Sequence, residues 1–356
     1  MTDSILDAGV SLDVPGAARE TRGLVCAHHH LSSSIGRGMP ALRRTPNSFV
    51  EILERVWWRF DRALDARAIE WAAKLGALEA IEAGTTAVID LHSSPNVIEG
   101  SLDVIAAACA EVGVRVRGAY EVSDRNGIDG AKAGLAENER FLRGGGEGYV
   151  GAHACFTLSD DTLDAVSGLA DDLDVGVHLH VAESEVDAGA GARLMARADQ
   201  SWLLAHAVHL DRPLPGTVVH NPRSNLDFAV GYGEPARFDR VALGTDGIGA
   251  DMLEEFRLAF ALARSHDVTI SPARPWSWLT AGELLVPDVK RDRVVWSYEP
   301  AEPCHLAYTP GVRPLLVEVD GEVVLDENGP TRVDEVEIRA RAREEAHRVF
   351  ARMEAL

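Results

Sequence analysis

The chain has 356 residues, 46% of them hydrophobic and 26% charged. These are values of an ordinary folded protein, which exclude a disordered, collagen-like or coiled-coil chain. Lys+Arg 35 against Asp+Glu 56 leaves a net charge of −21, which repels phosphate backbones and anionic lipid, so neither nucleic acid nor a membrane is expected as a partner.

The four cysteines (Cys26, Cys109, Cys155 and Cys304) are scattered without a CxxC spacing and read as free thiols. The opening MTDSILDAGVSLDVPG lacks the basic and apolar segments of a signal peptide, and no stretch is apolar enough to span a bilayer. A cytoplasmic location is the expectation.

Short β-branched runs, each followed by a helical pattern, recur along the chain. Strands are expected at 24–28, 85–91, 112–120, 149–155, 175–181, 201–206, 217–220 and 241–246. Amphipathic segments lie between them, among them 48–84 and 100–113, both ending at Gly. Eight strands alternating with helices call for a parallel sheet. At this length a closed (β/α)8 TIM barrel over 21–290 fits best, giving an α/β fold.

After residue 290 the character changes. RVVWSYEP, HLAYTP and PLLVEVDGEVVLDENG read as antiparallel, with Asp320-Gly321 as a hairpin turn. Residues 1–20 and 291–330 are expected to form a small β subdomain, and 331–356 an amphipathic helix capped by Asp334. RGGGEG (143–148) and DAGAGAR (187–193) read as loops.

The 13 histidines are placed informatively. His28, His30, His92, His153, His178, His180, His206 and His220 all fall at or near expected strand ends, which in a barrel converge on one mouth. In AHHHL, His28 and His30 are two residues apart and share a face, while His29 points away. Two such imidazoles suit a borderline metal such as zinc or iron. HLHVAE repeats the device: His180 is nearer the mouth than His178, which reads as a deeper residue. Glu183 lies three residues beyond His180, where a carboxylate can move protons. VALGTDG delivers Asp246 to the mouth; a carboxylate buried there needs a cation or several donors, so metal ligation is favoured over helix capping. His92, Glu121, His220 and Asn225 are weaker candidates for substrate contact, and the Trp57/Trp58 pair reads more readily as core.

In this order, HxH on the first strand, HxxE on the fifth, His on the sixth and Asp on the eighth, the residues resemble the amidohydrolase superfamily. HNPRSN and GTDG resemble its branch of deaminases and triazine chlorohydrolases. A nearer likeness, carried by EILERVWWRFDRAL, YEVSDRNG and GTDGIGADM, is to the SsnA-type aminohydrolases. The resemblance implies one divalent metal, zinc before iron, held by His28, His30, His180 and Asp246. It implies catalytic roles for Glu183, His206 and Asp246, with Glu183 as proton shuttle and His206 as partner of the tetrahedral oxygen. The fourth strand, YVGAHAC, has no lysine to bridge a second metal. The implied reaction is deamination of an N-heterocyclic or amidine-like small molecule by hydroxide generated at the metal. Hydrolytic dechlorination, formimino-group hydrolysis and a non-catalytic binding role are the alternatives, and the resemblance leaves room for a homodimer. The sandwich of this family looks trimmed here.

Overall fold

The computed structural model describes residues 20–42, 44–298 and 303–356. Of the segment 1–20 assigned to the small subdomain, all but Glu20 lies outside the described residues. In chain order the strands are β1 (Glu20–Thr21), β2 (Leu24–His29), β3 (Thr85–His92), β4 (Arg115–Tyr120), β5 (Val150–Ala154), β6 (Val177–Val181) and β7 (Leu203–His206). They continue with β8 (Thr217–His220), β9 (Val241–Leu243), β10 (Arg293–Trp296), β11 (Pro314–Val319), β12 (Glu322–Asp326) and β13 (Gly329–Pro330).

Strands β2 to β9 are the eight of the barrel. β2-β3-β4 and β5-β6-β7-β8-β9 are two parallel sheets, joined at β4/β5 by parallel bridges Gly118–Gly148 and Val122–Ala152. The seam between β9 and β2 is closed by the Thr245 and Asp246 amides, which both donate to the His28 carbonyl at 3.0 and 3.1 Å. Gly244 makes this seam possible: a Cβ there would lie 2.8 Å from the His28 backbone N and O. Inside the barrel, Val25, Ala27, Ile89, Leu91, Leu203 and Val219 pack with Val286 and Val289. The outer faces of the strands and the surrounding helices form the larger core.

The (β/α)8 architecture is as expected, with several local corrections. The 112–120 strand begins at Arg115, because Val112 is the last residue of the helix Ser101–Val112 and Gly113 (φ 101°) caps it. The amphipathic stretch 48–84 is not one helix. The chain turns extended at Leu64 (ψ 144°), and Asp65 starts the helix Ala66–Glu82 by accepting from the Ala68 amide at 2.9 Å. HLAYTP, read as antiparallel, lies in and just after the helix Pro303–Tyr308, where the Leu306 and Thr309 carbonyls take hydrogen bonds from Arg257 at 2.9 and 3.0 Å. DAGAGAR runs into a short helix, Ala190–Leu194, because Ala190 and Leu194 are buried.

The remaining strands form an antiparallel sheet, β1-β10-β11-β12-β13. Asp320 (φ 51°) and Gly321 (φ 82°) make the β11–β12 turn with both central residues left-handed, as a two-residue hairpin needs. Asp334 caps the helix Glu335–Ala355 through the Val336 and Glu337 amides at 2.8 and 3.1 Å, and that helix lies against Ala66–Glu82. Among the described residues no helix is long and apolar enough to cross a membrane.

Candidate active site

The barrel strands bring their polar ends to one mouth. On β2 the ladder shifts between Cys26 and His29. The shift shows in the side chains: Cys26 and His29, three apart and so on opposite faces of a regular strand, both reach Thr245 Oγ1, at 3.4 and 2.7 Å. Beyond the irregularity His28 and His30 project together into the mouth and His29 turns away.

Asp246 is the hub. Its Oδ1 lies 2.8 Å from His28 Nε2, 3.3 Å from His30 Nε2, 3.5 Å from His206 Nε2 and 4.0 Å from His180 Nε2. Its Oδ2 accepts from Ser224 Oγ at 2.5 Å. His28, His180, His206 and Asp246 each offer an atom within 4.8 Å of the others, a group that could hold a metal ion. His30 adjoins it, its Nε2 3.2 Å from that of His180.

Each imidazole is held by its other nitrogen. His30 Nδ1 donates to the Leu91 carbonyl, His180 Nδ1 to the His153 carbonyl at 2.9 Å and His206 Nδ1 to Asn225 Oδ1 at 2.8 Å. His28 Nδ1 faces His178 Nε2 at 2.8 Å. Anchoring of this kind fixes the tautomer and turns the Nε2 lone pairs on one point, the arrangement of metal-ligating histidine. The same lone pairs would repel one another without a cation. His206 Nε2 is buried and makes no hydrogen bond within the described residues. On both counts the donor set fits a divalent ion.

Electrostatics agree. Burial opposes ionisation of Asp246, but the charge of His206 and its contacts with His206, His28 and His30 hold its carboxyl well below the usual range. Glu183 lies 3.8 Å from His206 Nε2. Burial pushes it up to about 7, against the pull of His206, so near neutral pH both protonation states are accessible. The backbone is strained where these groups emerge: Ala182, His206, Ala207 and Asp246 all have φ between 46° and 71°. Such conformations cost roughly 1–3 kcal/mol each and cluster at functional sites.

A cavity of about 270 Å³ opens onto this group. Trp57, Trp58, Phe60 and Phe228 supply its aromatic lining, Asp61, Glu121 and Arg125 a charged side. Both tryptophans reach it because Leu53–Trp57 is a turn of π-helix, followed at once by Trp58–Ala63. Glu121 lines the cavity, whereas His92, His220 and Asn225 do not. His92 bonds Ser94 Oγ at 2.8 Å, His220 packs on Tyr232 and Trp278, and Asn225 anchors His206. His178 stands behind His28. Arg125 and Ser224 line the cavity but were not singled out from the sequence; His153, noted there only as a strand-end histidine, lines it as well.

Comparison with known proteins agrees with this geometry. The Amidohydrolase family model matches residues 21–281. A 5'-deoxyadenosine deaminase of Methanopyrus kandleri is 32% identical over 67% of this chain and 61% of its own. A 5-methylthioadenosine/S-adenosylhomocysteine deaminase of Desulforudis audaxviator is 29% identical over 97% of this chain and 90% of its own. In fold, the chain is similar to a zinc-bound adenosine deaminase of Xanthomonas campestris (TM-score 0.78, 23% identity, 93% of this chain and 86% of that one). It is also similar to the zinc-complexed atrazine chlorohydrolase of Arthrobacter aurescens (TM-score 0.71, 21% identity, 92% and 88%). The chain belongs to the amidohydrolase family and is a hydrolase of carbon–nitrogen bonds.

Proposed function

We propose that the protein deaminates an aminated N-heterocycle, releasing ammonia, with one zinc ion held by His28, His30, His180 and Asp246. The observation that carries this is the convergence of four anchored imidazoles on Asp246 Oδ1, with Glu183 3.8 Å from His206. Bound among these residues, a divalent ion supplies Lewis acidity, lowering the pKa of water towards roughly 7.

The chain's own groups manage the protons. Asp246, steadied on its second oxygen by Ser224, takes the proton of the attacking water. Glu183, entering protonated, gives its proton to the ring nitrogen beside the amino carbon; as the tetrahedral carbon collapses it takes the hydroxyl proton and passes it to the departing amine, and the proton held by Asp246 then restores it. His206, despite its burial kept as the imidazolium by the charges of Glu183 and Asp246, donates from Nδ1 to Asn225 and through Nε2 to the oxygen on the tetrahedral carbon, a placement that favours developing charge. Water plus the amino carbon thus yields a carbonyl and ammonia. The deaminase names of the curated relatives support this choice of reaction. A cytoplasmic location and a small-molecule substrate belong to the same proposal, which leaves room for a homodimer.

Glu183→Gln tests the proposal. The variant should keep one equivalent of zinc by elemental analysis while ammonia release falls by ~10²–10⁴-fold, the usual worth of a positioned proton carrier. Turnover like that of the wild type would remove Glu183 from the reaction. Iron in place of zinc in the purified protein would correct the metal alone.

A further inference from the structure

A second convergence lies on the cavity wall: Glu121, His153 and His180 offer atoms within 4.8 Å of one another. His180 cannot complete a metal site there, since its Nδ1 is bound to the His153 carbonyl and its Nε2 faces Asp246. Glu121 and His153 remain as a pair, each 6% exposed.

Both present acceptors. The Thr157 hydroxyl donates to the Ala154 carbonyl at 3.0 Å, so it accepts from His153 Nδ1 at 2.6 Å and leaves the His153 Nε2 lone pair free. Glu121 accepts from Arg125 at 2.6 Å through Oε1, and among the described residues Oε2 takes no hydrogen bond. Arg125 cannot follow a moving partner. Its Nε donates to Ser123 Oγ at 2.9 Å, and its guanidinium lies over the Trp58 ring at 4.7 Å. The free Glu121 oxygen is therefore held in place.

Glu121 and His153 line the same cavity as Glu183 and Asp246, and His180 belongs to both groups. A heterocycle whose amino carbon reaches Asp246 and Glu183 lays another edge on it. We propose that Glu121, clamped by Arg125, selects the substrate by accepting a hydrogen bond from a ring N–H. The favoured class is then an aminated heterocycle with a lactam or equivalent N–H, as in guanine or pterin. An adenine nucleoside offers only ring nitrogen lone pairs at that edge and sets acceptor against acceptor. This specificity rests on the deaminase reading above.

The test compares ammonia release from guanine, pterin, adenosine and 5'-deoxyadenosine by the zinc-loaded full chain and its Glu121→Gln variant. The wild type should favour guanine or pterin by at least roughly tenfold in kcat/KM, as an unmet buried hydrogen bond predicts. Glu121→Gln should erode that ratio by roughly 10–100-fold, mainly through KM, with zinc content unchanged. Preference of the wild type for the adenine nucleosides, or a ratio untouched by Glu121→Gln, overturns the assignment. If zinc is bound and no compound releases ammonia, the deaminase reading fails instead. Calorimetric binding of guanine and adenosine to both proteins then decides the role of Glu121 by the same ratio.

Discussion

At the scale of single residues, what distinguishes the mouth of the barrel is how completely each polar group is held from behind. Asp246 shows it best: one oxygen faces the imidazoles, the other is fixed by Ser224. Loss of such a supporting contact usually costs 10–100-fold in metal affinity or activity. Ser224→Ala should therefore weaken zinc binding and turnover by roughly 10–100-fold, measured by chelator competition on the metal-free protein and by ammonia release. Unchanged affinity would mean that Asp246 is oriented by its backbone alone. Asn225 illustrates the limit of reading residues one at a time. HNPRSN announces polar groups near the mouth, yet nothing in the motif tells a substrate contact from the anchor of His206 that Asn225 is.

At the scale of elements, the site depends on a seam and on two breaks in regular structure. The β9–β2 seam sets Asp246 opposite His28, and Gly244 is the residue that lets the strands approach. Because a side chain there would meet the His28 backbone as well as Asn221 Oδ1, Gly244→Ala must push the strands apart. It should destabilise by about 1–3 kcal/mol, as overpacked cores do, and lower zinc occupancy as well. Thermal unfolding beside elemental analysis checks both, and a destabilised protein with full zinc would uncouple seam from site. The irregularity in β2 and the π turn before Trp58 were beyond sequence reasoning. Periodicity assigns faces on the assumption of regular elements, and it is the departure from regularity that lets Trp57 and Trp58 both face the cavity. The eight strands, by contrast, were legible, because buried β-branched runs between helical segments have few other uses.

At the scale of the molecule, the concentration of neutral imidazoles inside the barrel has a consequence for acid stability. Burial pushes His92 and His220 down to about 3 from an ordinary 6.5. Between those values the unfolded chain binds more protons than the folded one, so stability is complete above pH 6.5 and is lost as pH falls. Each group contributes about 1.4 kcal/mol per pH unit across that window. Through these two groups the urea midpoint of the metal-free protein is pulled down below pH 6.5, against the buried carboxyls of Asp61, Glu183 and Glu255, which burial pushes up to about 7. His220→Phe, which keeps an aromatic ring among Tyr232 and Trp278, should flatten the decline by that increment. An unchanged slope would mean that His220 is hydrated in the folded state.

The sequence by itself determined the barrel, the order of its strands, and which histidines and carboxylates sit at strand ends. Strand identity and face follow from alternation and burial, which are local. Tertiary structure decided the rest: which nitrogen of each ring faces the centre, that Ser224 and Asn225 work from behind, and that Glu121, Arg125 and Trp58 share one wall. Those relations join residues far apart along the chain, and only closure of the barrel brings them within a hydrogen bond of one another.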